Sequence, residues 1–177
     1  DKVFLGSAIP KFNYGITLNA AYKGFDFTLF GSGNYGGKLV LSNRGRPGAN
    51  LPEEYWTQSW DVKGAGAKYP HPDLNDSYQF LSSMQLSSGS YFKIKQIQLG
   101  YTLPKKLTQK IQVSNLRLFM SLDNFFTFTS FVGMDPEAVS AAAPNMKGII
   151  NDTGGMGMDY GEYPNPKTVT FGVNLSF

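Results

Sequence analysis

The stretch that most constrains this chain is its last eleven residues, KTVTFGVNLSF. Val169, Phe171, Val173, Leu175 and Phe177 share one parity, and Thr168, Thr170, Gly172, Asn174 and Ser176 share the other. A strand sends successive side chains to opposite faces, so this one has an apolar face and a small, polar face. The terminal strand of a soluble sandwich satisfies that pattern. So does a strand of a transmembrane β-barrel, with lipid on one side and a wet lumen on the other. The rest of the chain has to decide between them.

Phe12 to Tyr22 alternates in the same way, with Phe12, Tyr14, Ile16, Leu18, Ala20 and Tyr22 on one face. Lys23-Gly24 then supplies a two-residue turn with a glycine for positive φ. Phe25, Phe27, Leu29 and Tyr35 carry the apolar parity of the next strand, and Phe30 breaks it. A two-residue loop pairs Tyr22 with Phe25, Leu18 with Leu29 and Phe12 with Tyr35. Both apolar sets then fall on one face, which a one-residue slip would forbid. Aromatics gather at both ends of that face. Phe12 to Tyr22 rises about 33 Å at about 3.3 Å per residue. Tilted by about 40°, it spans about 25 Å, the height of an outer-membrane barrel's apolar band.

Three further strands are expected near 90–103, 115–127 and 167–177. In the first of these the apolar parity changes between Phe92, Ile94 and Ile97, Leu99, Tyr101, which points either to a β-bulge near Lys95-Gln96 or to a stretch before the slip that stands above the membrane. Leu116, Leu118, Met120 and Leu122 form the apolar parity of the next. Phe119 joins Arg117, Ser121 and Asp123 on its polar face. The connections are two residues, then about fifty, about ten and about forty. In a meander this puts both long connections at one end and the short turns at the other, as in outer-membrane barrels. Five strands are too few to close such a barrel, whose smallest examples have about eight. The expectation is therefore about five antiparallel C-terminal strands of a larger all-β barrel, with 36–89 and 130–166 as long extracellular loops. The chain opens on Asp1 rather than Met, as expected of a processed chain or a piece of a longer one.

Composition agrees where it speaks. Aromatics are 15% and charged residues only 16%. No run of about 18 apolar residues offers a transmembrane helix, which leaves barrels untouched. A net charge of +3 without a basic run gives no reason to expect nucleic acid. With no cysteine, disulfides and thiolate metal sites are excluded. His71, the only histidine, has no ligand-spaced carboxylate pair beside it, and a solvated loop residue is the better reading. Asp152, Asp159 and Glu162 sit among glycines but match no calcium-loop spacing. No metal and no cofactor is expected. No nucleophile–base arrangement appears, so no enzyme is expected either. Lys105, Lys106 and Lys110 read as a solvated turn, and Arg44 and Arg46 as solvated before any contact with lipopolysaccharide. Tyr55, Trp56 and Trp60 are the candidate ligand-binding residues. Packing within the loop, contact with a lid protein and contact with substrate compete for them, in that order.

Several ordered stretches carry a resemblance. SYFKIKQIQLGYTLPKKL, LRLFMSLDNFFTFTSFVGMDPE and YPNPKTVTFGVNLSF resemble the C-terminal end of SusC/RagA-type TonB-dependent outer-membrane transporters of Bacteroidetes. AYKGFDFTLFGSGNYGG resembles the hairpin upstream of them. The resemblance implies a barrel of about 22 strands in the bacterial outer membrane. It implies import of oligosaccharides or peptides, driven by the TonB system, under a SusD-type lipoprotein lid. On this reading Phe12, Tyr14, Ile16, Leu18, Tyr22, Phe25, Phe27 and Leu29 face lipid, as do Val169, Phe171, Val173, Leu175 and Phe177. Phe177 also resembles a C-terminal assembly signal, or is only a residue of the interfacial aromatic girdle. The alternative is a soluble all-β carbohydrate-binding module with its aromatics in loops.

Overall fold

The structure is a computed structural model that describes residues 3–41, 53–71, 83–139, 157–159, 161 and 163–177. Arg44, Arg46, Asp152 and Glu162 lie outside the described residues. The chain divides into two units, one of Lys11–Tyr35, Ser90–Thr129 and Asn165–Phe177, the other of Asp1–Pro10, Gly36–Gly89 and Ser130–Pro164.

The first unit is a five-stranded antiparallel sheet. Its strands are β1 (Phe12–Tyr22), β2 (Phe25–Tyr35), β5 (Tyr91–Thr102), β6 (Asn115–Thr129) and β8 (Thr168–Ser176), in the order β1-β2-β5-β6-β8. Each strand pairs with its neighbour along the chain within this sheet, so it is a plain meander. β1 and β2 pair from Phe12↔Tyr35 through Leu18↔Leu29 to Tyr22↔Phe25, the register that a two-residue loop imposes. Lys23 and Gly24 both have positive φ, 47° and 88°, as the tight hairpin turn requires. A side chain at Gly24 would start 2.8 Å from the Thr102 carbonyl oxygen, so glycine is needed there for space as well.

Two pattern breaks in the sequence have structural causes. The β2–β5 register shifts between Phe30 and Gly31, and the β5–β6 register between Ile94 and Gln96. Lys95 is the extra residue of β5. Between the same two rows the chain advances two residues on β2 (Leu29 to Gly31), three on β5 (Ile97 to Ile94) and four on β6 (Leu122 to Phe126), so β6 holds two extra residues relative to β2. Asn124 takes φ 60° there, a left-handed conformation that asparagine tolerates better than most residues. An even insertion leaves the parity of β6 unchanged, which is why the sequence shows no slip on that strand. The phase change at Lys95 keeps Phe92 and Ile94 on the same face as Ile97 and Leu99.

The second unit departs from the expectation of two irregular loops. It has a three-stranded sheet of its own, made of β3 (Lys38–Leu41), β4 (Leu86–Ser88) and β7 (Met158–Asp159), in the order β4-β3-β7. β3 runs antiparallel to β4 and parallel to β7, so the two long connections meet in one sheet. Leu39, Leu41 and Phe131 bury together as its core, with Val139 against them. Short helices α1 (Glu53–Thr57) and α2 (Trp60–Lys63) follow β3 in the chain. The connection after β5 is likewise partly helical, with α3 at Lys105–Thr108. Four or five residues lie below the length at which helical periodicity can be read from sequence.

Candidate functional site

The five-stranded sheet has two chemically distinct faces. On the apolar face Leu18, Leu29, Ile97, Leu122 and Val169 form one continuous row across all five strands. Phe27, Leu99, Met120 and Phe171 form the next row toward the short turns. These side chains have no described layer packed over them. Leu18 is 56% exposed and Phe171 77%.

Aromatic rings band this face at each end. Toward the long connections, Phe12 stacks on Tyr35 at 5.2 Å, Tyr14 on Phe92 at 5.9 Å and Phe92 on Phe128 at 6.4 Å. Tyr14 reaches Phe92 across β2 because the intervening residue is Gly33. A Cβ there would lie 3.0 Å from the Tyr14 ring and 2.2 Å from the Tyr91 carbonyl oxygen. The Tyr14 hydroxyl donates to that same carbonyl. Toward the short turns, Phe25 packs on Tyr101 with centroids 4.5 Å apart, and Lys23 lies over the Tyr22 ring. Phe177 follows β8 at this end and is 91% exposed.

The opposite face carries Asn19, Thr28, Gln98, Ser121 and Thr170 in one cross-strand row. Asp26 and Arg117 sit on β2 and β6, with β5 between them. They nonetheless form a two-pronged ion pair, with Arg117 Nε donating to Asp26 Oδ2 at 2.8 Å and Nη2 to Oδ1. Gly100 makes this possible, since a Cβ at that position would lie 2.4 Å from the Asp26 carboxylate. Phe119, the aromatic out of place on the polar face, lies over Gly172 of β8 and under the Arg117 guanidinium. Phe30, the other one, lies near Gly15 of β1. An aromatic ring that covers a neighbouring strand's glycine shields backbone that would otherwise be bare. Asp123 accepts a hydrogen bond from Ser121 on the same face.

The candidate ligand-binding aromatics separate in the second unit. Tyr55 is buried and stacks on Tyr69 at 4.7 Å, so its ring offers no face to a ligand. Trp56 and Trp60 are both more than half exposed. Tyr55 is thus packed within the unit. Lys68 closes the stack by donating to Glu54 at 2.7 Å, and this contact raises the lysine pKa above its ordinary value. His71 pairs with Asp61 at 2.7 Å. Among the described residues, no group of three His, Asp or Glu side chains could hold a metal ion.

A sheet with an apolar, aromatic-banded face and a polar face bridged by an ion pair has known relatives. The chain is 31% identical to the TonB-dependent receptor P3 of Formosa agariphila over 180 residues, all of this chain and 17% of that protein. Over 167 residues it is 24% identical to the TonB-dependent receptor SusC of Bacteroides thetaiotaomicron, covering 92% of this chain and 15% of that one. Among solved structures, it matches the RagAB peptide importer in its open-open state with a TM-score of 0.73 and 25% identity. That match covers 97% of this chain and 18% of the other. Along all or nearly all of its length the chain is similar to a segment of TonB-dependent receptors, SusC among them. No family profile matches it. It spans about 17% of the length of the curated relatives it matches. The five-stranded sheet is thus a section of an outer-membrane barrel wall, and it is antiparallel as the alternation predicted. The barrel does not close within these residues.

Proposed function

We propose that this segment forms part of the wall of a nutrient importer that takes up oligosaccharides or peptides through the outer membrane. The observation that carries the proposal is the division of one five-stranded sheet into a banded apolar face and a polar face, in a relative of TonB-dependent receptors. On this reading the apolar face meets lipid, from Phe12, Tyr14, Ile16, Leu18 and Tyr22 on β1 to Val169, Phe171, Val173 and Leu175 on β8. Phe25, Phe27 and Leu29 continue it on β2. The aromatic bands are the interfacial girdles that such barrels carry at both membrane surfaces. The polar face lines the lumen. The similarity to the RagAB peptide importer favours a transport role over catalysis.

The second unit then stands on the extracellular side, where a SusD-type lipoprotein lid and the incoming substrate would reach it. Energy would come through the TonB system from parts of the receptor outside this segment. Trp56 and Trp60 are the side chains suited to lid or substrate contact, being aromatic and exposed. Substituting both by alanine should lower uptake by whole cells and leave the amount of assembled receptor unchanged. A fall in assembled receptor alone would return the two rings to loop packing.

Sidedness has its own test. A protease site inserted at Ala65, an exposed position in the turn after α2, should be cut by protease added to intact cells. Cleavage only after the outer membrane is ruptured would show the topology inverted.

Phe177 is read as part of the assembly signal. β8 must pair along both edges before the barrel is viable, because unpaired backbone groups have no water partner in lipid. Deleting Phe177 should lower the amount of receptor assembled in the outer membrane and barely change uptake per assembled molecule. Unchanged assembly with reduced uptake would place this residue in the transport path instead.

A further inference from the structure

The short-turn end of the sheet holds two features that together go beyond a uniform lipid-facing surface. The first is an open apolar groove of about 250 Å³. Leu99, Tyr101, Leu118, Met120, Phe25 and Phe171 line it, and all six belong to the apolar face. The second is the charge of the same end. Lys105, Lys106 and Lys110 lie in and just after α3, the connection between β5 and β6, and are exposed. Only three residues of chain separate Tyr101, at the groove, from Lys105. Leu107, beside Lys106, is 56% exposed, so the connection itself presents an apolar side chain among its lysines.

Few acidic side chains lie near these lysines in the sequence. Residues 83–122 contain neither Asp nor Glu, and neither do residues 165–177. Asp26, the one acid near this end on β2, is engaged by Arg117. Among the described residues no carboxylate pairs with Lys105, Lys106 or Lys110.

We propose that this end of the sheet is a binding site for one anionic phospholipid of the periplasmic leaflet. An acyl chain lies in the groove, and the phosphate is held by Lys105, Lys106 and Lys110. The proposal rests on the reading that the apolar face meets lipid and that the short turns are periplasmic. The chemistry is complementary at both levels of a lipid. The groove has aliphatic and aromatic walls and suits a hydrocarbon chain. The lysines stand where the strands end, as a headgroup would, and their long stems can follow the chain while the ammonium groups reach the phosphate. Clustered basic residues beside a membrane-spanning segment attract anionic lipid, each by about fivefold in affinity. A zwitterionic lipid would fill the groove equally well but gain less from the lysines, so the site should select by headgroup charge.

The test uses the full-length receptor that contains this segment, purified in mild detergent. Native mass spectrometry then reads the retention of phosphatidylglycerol and phosphatidylethanolamine with identical acyl chains. Wild-type receptor should retain phosphatidylglycerol at least about tenfold more tightly. Replacing Lys105, Lys106 and Lys110 together by glutamine should abolish that preference while both lipids still bind. Met120→Trp, which fills the groove, should weaken both lipids and leave the preference intact. Equal retention of the two lipids by wild type would overturn the proposal with no variant needed, and so would an unchanged preference in the triple variant. Stronger retention of lipopolysaccharide than of either phospholipid would also overturn it. Cleavage at the Ala65 site on intact cells then tells whether the sidedness reading has failed with it.

Discussion

Leu18→Arg is expected to destabilise the assembled receptor by about 2–4 kcal/mol, the cost of a guanidinium on the lipid face near the bilayer midplane. Leu18 lies in the middle of β1 opposite Leu29, within the row that crosses all five strands. Leu29→Arg should cost a similar amount. The same substitution at Asn19, one residue along and on the polar face, should be nearly neutral, because a long cation there stays in contact with lumenal water. Unfolding of the barrel in denaturant, followed by the loss of its folded electrophoretic mobility, measures the difference. Equal costs at positions 18 and 19 would remove the distinction between the faces.

Gly33→Val is the second large effect, and its cause is steric. The new Cβ would stand 2.2 Å from the Tyr91 carbonyl oxygen and 3.0 Å from the Phe92 Cα, so backbone rather than a movable side chain must yield. Overpacking of this kind costs about 1–3 kcal/mol, and more where backbone has to shift. The substitution should also displace the Tyr14 ring from Phe92 and so open the aromatic band at that end. Gly172→Val makes an informative comparison. Its clash is with the tip of the Phe119 ring, at 2.1 Å, which can swing aside. Adding Phe119→Ala should therefore rescue Gly172→Val. Adding Tyr14→Ala to Gly33→Val should not, since the clash with the Tyr91 carbonyl persists. Rescue in both pairs would mean that the β2–β5 backbone is more compliant than the geometry implies.

Much of the barrel wall was legible because its constraints are local. A two-residue turn, a parity and a glycine determine how β1 meets β2. The slip between Ile94 and Ile97 marks the bulge in β5 without any partner in view. The bulge in β6 left no trace, since two inserted residues restore the parity they disturb. The polar-face aromatics were visible only as anomalies. Phe119 is explained by Gly172 and Phe30 by Gly15, and those pairings exist only once the strands are laid side by side. The Asp26–Arg117 pair likewise joins residues 91 apart across an intervening strand. The second unit was the least legible. Its sheet pairs Val40 with Met158 from two different connections, and neither β3 nor β7 is long enough to show a period. Tyr55 and Trp56 are adjacent in sequence and both aromatic. Only the stack on Tyr69 tells the buried ring from the exposed one.

The central claim is that the apolar face of the five-stranded sheet meets lipid and the other face meets water. The chain contains no cysteine, so single cysteines can be introduced for labelling without background from this segment. A nitroxide carried in turn at each position from Phe12 to Tyr22, in the full receptor in bilayers, reports its surroundings through collisions with oxygen or with a water-soluble nickel complex. The account predicts strict alternation. Labels at positions 14, 16, 18 and 20 should be quenched by oxygen, and labels at 13, 15, 17, 19 and 21 by the nickel complex. Uniform access to the nickel complex along β1, or alternation in the opposite phase, would contradict it.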